Sequence, residues 1–190
     1  VPLPENELKD ILGDELSLAV VNAPSLCVAA GPEEAVITLE ESLNKRDILS
    51  RRIRTSHAFH SKMMEPMKEE FANYLKDISF SPPEIPYISN VTGTWITDEE
   101  ATDPFYWAEH TCRTVHFSKG VGLLLEKSET TLLEVGPGQS LTGFAIQHPN
   151  NGKAMNGHVF PSLRNRNENL PDELFLLNTI GRLWLGGIEI

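Results

Sequence analysis

Apolar residues three and four apart open the chain. Leu8, Ile11 and Leu12 share one helical face, and Gly13 ends the segment. Two short apolar runs follow, residues 16–21 and 26–30, parted by Asn22-Ala23-Pro24-Ser25; they predict two strands around a tight connection. Gly31-Pro32-Glu33-Glu34 predicts a helix start, with proline where its missing N–H costs nothing and acids at the positive end of the dipole. Val36, Leu39 and Leu43 form the inward face of that helix. Residues 48–55 alternate apolar and basic side chains, with Ile53 between Arg52 and Arg54, as a half-exposed strand would. Residues 1–56 therefore read α-β-β-α-β, a ferredoxin-like β-α-β-β-α-β unit lacking its first strand. That strand would precede Val1, and a start at Val1-Pro2-Leu3-Pro4-Glu5, with no initiator methionine, suggests a fragment.

The pattern changes after His57-Ala58-Phe59-His60-Ser61. A helix is expected with Met63, Met64, Met67, Phe71, Tyr74 or Leu75, and Ile78 as its apolar positions, and Pro66 sets its regular start near Glu65. Pro82-Pro83 and Pro86 mark a connection, and residues 87–91 read as a short strand. Asp103-Pro104 caps a helix through Trp107 and Ala108, and Ser118 opens another through Leu123 to Leu125. Residues 131–135 read as a buried strand that stops at Gly136-Pro137-Gly138. A polar, turn-rich stretch from Pro149 to Lys153 leads to Val159-Phe160-Pro161-Ser162-Leu163 and a last helix from Leu174 to Leu185. The alternation of strand and helix after residue 60 fits a parallel α/β sheet. No internal repeat is visible.

Composition narrows the field of functions. The 190 residues are 40% hydrophobic and 23% charged, which is globular material sufficient for one core or one and a half. A formal charge of −11, spread along the chain, repels phosphate backbones and argues against a nucleic-acid partner. Cys27 and Cys112 lie far apart without a C-x-x-C spacing. A disulfide framework and a zinc site are not expected, and a reducing, cytoplasmic compartment is. No apolar run has membrane-spanning length, so no membrane association is expected.

His57 and His60 are the one compact cluster of reactive side chains. As a structural or solvated surface pair they would have no chemistry. As zinc ligands they would need further donors, and Cys112, His110 and His116 lack matching spacing. A histidine just ahead of a helix N-terminus faces the positive end of the dipole, which favours the neutral ring, the form that can activate a hydroxyl or thiol elsewhere in a fold. Cys27, in a predicted strand, and Cys112, in a predicted helix, read as core packing. Gly136-Pro137-Gly138-Gln139-Ser140 lacks the lysine and spacing of a phosphate-binding loop and reads as a strand-to-helix turn.

The string Thr55-Ser56-His57-Ala58-Phe59-His60-Ser61, followed by Met64-Glu65-Pro66-Met67, resembles the active-site and selectivity segment of malonyl-type acyltransferase domains in modular type I polyketide synthases. Other motifs agree in order. They are Ala19-Val20-Val21-Asn22-Ala23-Pro24-Ser25, Ile88-Ser89-Asn90-Val91-Thr92-Gly93, Tyr106-Trp107 with Arg113-Thr114-Val115-His116-Phe117, and Leu133-Glu134-Val135-Gly136-Pro137-Gly138. Pro161-Ser162-Leu163-Arg164, then Leu183-Trp184 and Gly187-Ile188, resemble the linker that follows such domains. The resemblance implies an α/β fold with an α+β small subdomain: an incomplete ferredoxin-like part at residues 1–60, the C-terminal part of an α/β hydrolase-like large subdomain at 61–150, and the linker at 151–190.

The family's chemistry follows as expectation. A serine in a Gly-His-Ser-x-Gly elbow takes a malonyl extender unit from malonyl-CoA and passes it to the phosphopantetheine thiol of an acyl carrier protein. That cofactor belongs to the partner, and none is expected in this chain. The resemblance makes His60 the general base, with the backbone carbonyl of Asn90 orienting its ring as the third member of a triad. It makes His57, Ala58 and Phe59 the selectivity segment, in which Phe59 fills the space of an α-methyl, worth about 1–3 kcal/mol of discrimination. These 190 residues contain no Gly-x-Ser-x-Gly. Arg113 and Gln139 do not replace the carboxylate-binding arginine and oxyanion-hole glutamine, which belong to the family's N-terminal half. An enzyme fragment inactive by itself is thus expected. The alternative is a non-catalytic module that docks the carrier protein or packs against a neighbouring ketosynthase and linker domains.

Overall fold

Leu8, Leu12, Leu16 and Leu18 meet Cys27, Leu39 and Leu43 in one buried cluster, and the first elements of the chain are arranged around it. The computed structural model describes residues 1–127, 129–152 and 159–190. Helix α1 (Glu5–Leu12) places Leu8 and Leu12 inward and stops at Gly13, whose φ of +64° suits glycine. Strands β1 (Ser17–Ala23) and β2 (Leu26–Ala30) form an antiparallel hairpin closed by Pro24-Ser25, with Ala23 opposite Leu26 and Ser17 opposite Ala30. Gly31 follows, where a Cβ would lie 2.8 Å from the Glu15 carbonyl oxygen, so a larger residue would push the chain away from the segment after α1. Helix α2 (Glu33–Lys45) then buries Leu39 and Leu43 on the same core.

Both edges of the hairpin are occupied at one point each. Val1 exchanges two backbone hydrogen bonds with Cys27, at 2.9 and 2.8 Å. On the other edge, the Val21 N–H donates to the Val115 carbonyl at 2.9 Å and the Val115 N–H to Ala19 at 2.8 Å.

Residues 48–55, expected as a strand, are not one. The Ile48 N–H turns back to the Leu43 carbonyl at 3.0 Å, and Arg52 reaches Glu40 and Glu33 of α2 at 3.2 and 3.6 Å. Alternating side chains are only half of what a strand requires. The other half is a partner backbone, and none faces this segment among the described residues. Residues 87–91 likewise make only the isolated bridge Ile88–Trp95, closing a tight loop at Gly93, where φ is +66°.

A 3₁₀ turn (Lys62–Met64) leads into helix α3 (Glu65–Leu75), with Pro66 in its first turn, where no intrahelical donor is needed. Helix α4 (Asp98–Thr102) was not legible by periodicity. It is fixed by a reciprocal capping box between Thr97 and Glu100. Asp103 accepts from the Phe105 N–H at the start of helix α5 (Pro104–His110). Helix α3 packs on α5. Ala72 and Ala108, one on each, are fully buried, and such small side chains let backbones approach closely.

The chain divides into two compact units, Val1–Gly120 and Val121–Ile190, the division falling within helix α6 (Phe117–Leu124). In the second unit, β3 (Leu132–Glu134) pairs in parallel with β4 (Val159–Pro161). The run expected as a buried strand is only partly so: Val135 is 83% exposed. Helix α7 (Ser140–Ile146) starts on the Glu134 carboxylate, which accepts from Leu141 and Thr142 N–H at 3.2 and 2.8 Å. Pro149–Gly152 is a 3₁₀ turn, and Lys153 lies outside the described residues. Helix α8 (Asp172–Leu185) closes the unit. Among the described residues no helix is long and apolar enough to cross a membrane.

Candidate active site

His60 has a φ of +59°, a region that non-glycine residues enter uncommonly and that clusters at functional positions. It holds this conformation because its neighbours fix it from two sides. Its N–H donates to the Thr111 carbonyl at 2.8 Å. The next residue, Ser61, is buried. Its hydroxyl donates to the Ala58 carbonyl and accepts from the Met63 N–H at 3.2 Å, starting the 3₁₀ turn.

The ring is held by the same stretch of chain as the backbone. Nδ1 lies 3.0 Å from the His110 carbonyl and 3.2 Å from the Arg113 carbonyl. A carbonyl oxygen only accepts, so the proton of a neutral His60 ring sits on Nδ1, and Nε2 carries the free lone pair. The imidazole of His110 stands edge-on to that of His60, with centroids 5.4 Å apart and planes at 68°. Burial, and after it the neighbouring His60, hold the His110 ring below the usual imidazole range.

The turn at residues 110–113 is itself anchored. The Thr111 and Cys112 N–H groups close the end of α5 on Ala108 and Glu109. Lys68 of α3 bridges Glu65 at 2.8 Å and Glu109 at 3.0 Å, and those two carboxylates push its ammonium well above the ordinary lysine range. Just beyond, the Thr114 hydroxyl donates to the Leu18 carbonyl at 2.7 Å, and Val115 bridges to β1. The His60 ring is thereby referred to two rigid elements, α3 and β1.

The Asn90 carbonyl, expected against the His60 ring, accepts instead from the His116 N–H at 2.8 Å. The carbonyls that meet the ring are those of His110 and Arg113. Asn90 lies in a turn built on Ser89, and that turn holds the chain three residues beyond Arg113 rather than the imidazole. Sequence reasoning missed His110 because its contribution to the ring contact is a peptide oxygen 50 positions away, which no residue type announces.

His57, Ala58, Phe59 and His60 line one side of a groove of about 810 Å³ whose other walls include Val28 of β2 and Val36 and Leu39 of α2. His57 is exposed, its Nδ1 3.0 Å from the Ser56 hydroxyl, and its ring is 5.9 Å from that of Phe59. Phe59 is 47% exposed and bounds the groove beside His60. Cys27 and Cys112 are free and buried, away from solvent chemistry; burial pushes the Cys27 thiol up. Among the described residues no group of three or more His, Cys, Asp and Glu is placed to share a metal ion.

The arrangement can accept a proton at a single fixed nitrogen beside a groove. The sequence matches the family model of the acyl transferase domain over residues 1–189, and the chain belongs to that family. It is 34% identical over 191 aligned positions to a phenolphthiocerol/phthiocerol polyketide synthase protein of Mycobacterium tuberculosis, covering 100% of this chain and 13% of that protein. To the spectinabilin polyketide synthase system protein NorB of Streptomyces orinoci it is 40% identical over 131 residues, 69% of this chain and 6% of that one. Among solved structures, the acyl transferase domain of SpnD in complex with 2-(pent-4-yn-1-yl)malonyl superposes with a TM-score of 0.90 at 39% identity, covering 98% of this chain and 45% of that one. A malonyl CoA-acyl carrier protein transacylase from Clostridium perfringens, 21% identical with a TM-score of 0.77, shares the fold, over 96% of this chain and 55% of that one. The chain thus has the α/β fold of a polyketide synthase acyltransferase domain and spans less than half of the SpnD domain structure.

Proposed function

We propose that this chain supplies the base and the selectivity wall of a malonyl-transferring acyltransferase site whose nucleophile lies outside these 190 residues. The observation that carries the proposal is the His60 ring, with Nδ1–H committed to two carbonyls and Nε2 left as a proton acceptor. In the complete site Nε2 takes the proton of a serine hydroxyl as its oxygen attacks the thioester carbon of malonyl-CoA. The tetrahedral centre collapses, the C–S bond breaks, and the coenzyme A sulfur leaves with that proton. The reverse sequence, with the phosphopantetheine thiol of an acyl carrier protein as attacking group, releases the malonyl unit to the carrier. The role of the 110–113 carbonyls is to hold the imidazole in one tautomer and to stabilise the imidazolium formed during each transfer. Phe59 supports malonyl over bulkier units, because its ring occupies space beside His60 that an α-substituent would need.

The test is to join the chain to the serine-bearing half of its acyltransferase domain and offer malonyl-CoA and methylmalonyl-CoA in competition, reading the acyl adduct by mass spectrometry. The expected result is a malonyl ester on that half, in excess over methylmalonyl, and no adduct on this chain alone. A stable malonyl adduct on any serine or cysteine of the 190-residue chain would overturn the proposal.

A further inference from the structure

The carbonyls of His110 and Arg113 specify which proton His60 carries, and both hydrogen bonds are lost if the ring turns over. Rotation of an imidazole by half a turn about its Cβ–Cγ bond exchanges Nδ1 for Cδ2. The carbonyls would then face a C–H, and Cε1 would stand where Nε2 had been. The half-buried ring is thus biased toward the observed state by those two bonds, and packing against its edge adds to that bias.

The neighbour placed to do so is the side chain of His110. Its ring meets the His60 ring edge-on at 5.4 Å, and on its other side it meets the Trp107 ring at 6.4 Å and 81°. Trp107 is fixed in turn: its indole N–H donates to the Ala101 carbonyl at 3.0 Å, it stacks on Phe80 at 6.3 Å, and Tyr106 stands against it at 5.3 Å. The Tyr106 hydroxyl closes on buried Ser89 at 2.6 Å. A row of rings therefore runs from the α4–α5 corner to the imidazole, and His110 is its last member. Glu109, next to His110 in α5, is engaged by Lys68 and Arg113.

We propose that the imidazole of His110 is a positioning residue for His60, its edge contact holding the His60 ring in the flip that presents Nδ1–H to the carbonyls and Nε2 to the groove. This rests on the assignment of His60 as the base but concerns a different part of His110 from its carbonyl. The ring adds to the orientation that the peptide oxygens provide.

The experiment uses the whole 190-residue chain labelled with ¹⁵N, observed through ring-nitrogen NMR of His60 at a pH where both rings are neutral. Two variants are compared. His110→Gln keeps the peptide carbonyl and a polar side chain but removes the ring; His110→Phe keeps a ring edge. In wild type the His60 signals report the Nδ1–H tautomer. In His110→Gln the share of the other tautomer rises about 2- to 10-fold, the range an aromatic edge contact supports. His110→Phe stays within that of wild type. An unchanged tautomer ratio in His110→Gln, or a loss in His110→Phe equal to that in His110→Gln, overturns the proposal and leaves the base assignment standing. A wild-type ring found with its proton on Nε2 overturns the base assignment itself, and the proposal with it. Backbone amide dispersion confirms the fold of each variant. Should His110→Gln fail to fold, His110→Asn provides the same ring deletion with the same decision.

Discussion

Replacing Ser89 by alanine should destabilise the first unit far more than deleting one hydroxyl from a surface turn would. Ser89 is 1% exposed, and its oxygen is the hub of three contacts. It accepts from the Val91 and Thr92 N–H groups at 3.2 and 3.1 Å and pairs with the Tyr106 hydroxyl at 2.6 Å. Alanine leaves two backbone donors without their acceptor and breaks the link to α5. Each net hydrogen bond contributes about 0.5–1.5 kcal/mol, and a buried donor left unpaired costs about 1–3 kcal/mol. Tyr106 can recover part of this by turning its hydroxyl to water. The expected loss is about 2–4 kcal/mol, among the larger values for a single substitution. Urea unfolding followed by circular dichroism reads it as a lower midpoint at unchanged slope. Asn90→Ala is the control: Asn90 is exposed, it bonds through its peptide carbonyl, and the change should stay within about 0.5 kcal/mol. A loss below about 1 kcal/mol for Ser89→Ala, or equal losses for both variants, would refute the assignment of the turn to that one hydroxyl.

Phe59→Ser in the completed domain should raise acceptance of methylmalonyl relative to malonyl by a factor corresponding to about 1–3 kcal/mol, read as the ratio of kcat/KM values in competition. An unchanged ratio would place selectivity on another wall of the site. His110, His116 and His148 are each held below the ordinary imidazole value of 6.5, in every case first by burial. The unfolded chain therefore binds more protons than the folded one near and below that pH, and stability present above about pH 6.5 is lost as the pH falls through it. Melting should occur at a lower temperature at about pH 5.5 than at about pH 7.5; equal or reversed values would contradict the burial of these rings.

Local signals carried most of the fold. Asp103-Pro104 gave α5 its first turn, Pro66 set the start of α3, and the Pro24-Ser25 turn between apolar runs gave the β1–β2 hairpin. The Thr97-x-x-Glu100 box that fixes α4 was present in the sequence, but a five-residue helix offers no periodicity to find it by. Residues 48–55 failed for the opposite reason: their alternation was clear, yet a strand depends on a partner that the segment itself does not encode. At the site, the His57–His60 string was legible because side chains carry it. The orientation of His60 was not, since it depends on peptide oxygens of the 110–113 turn and on a left-handed φ that residue types scarcely mark.

If Nε2 of His60 is the proton acceptor, the turnover of His60→Asn in the completed domain must report its loss. Asparagine is the appropriate replacement because it tolerates the left-handed backbone that His60 adopts, so the turn survives while the base is lost. With malonyl-CoA and carrier protein, kcat/KM should fall about 10²–10⁴-fold, the range for removing a positioned base, with an unchanged melting temperature. A loss smaller than about tenfold in a folded variant would rule out Nε2 as that acceptor, because a positioned base contributes at least about 10²-fold.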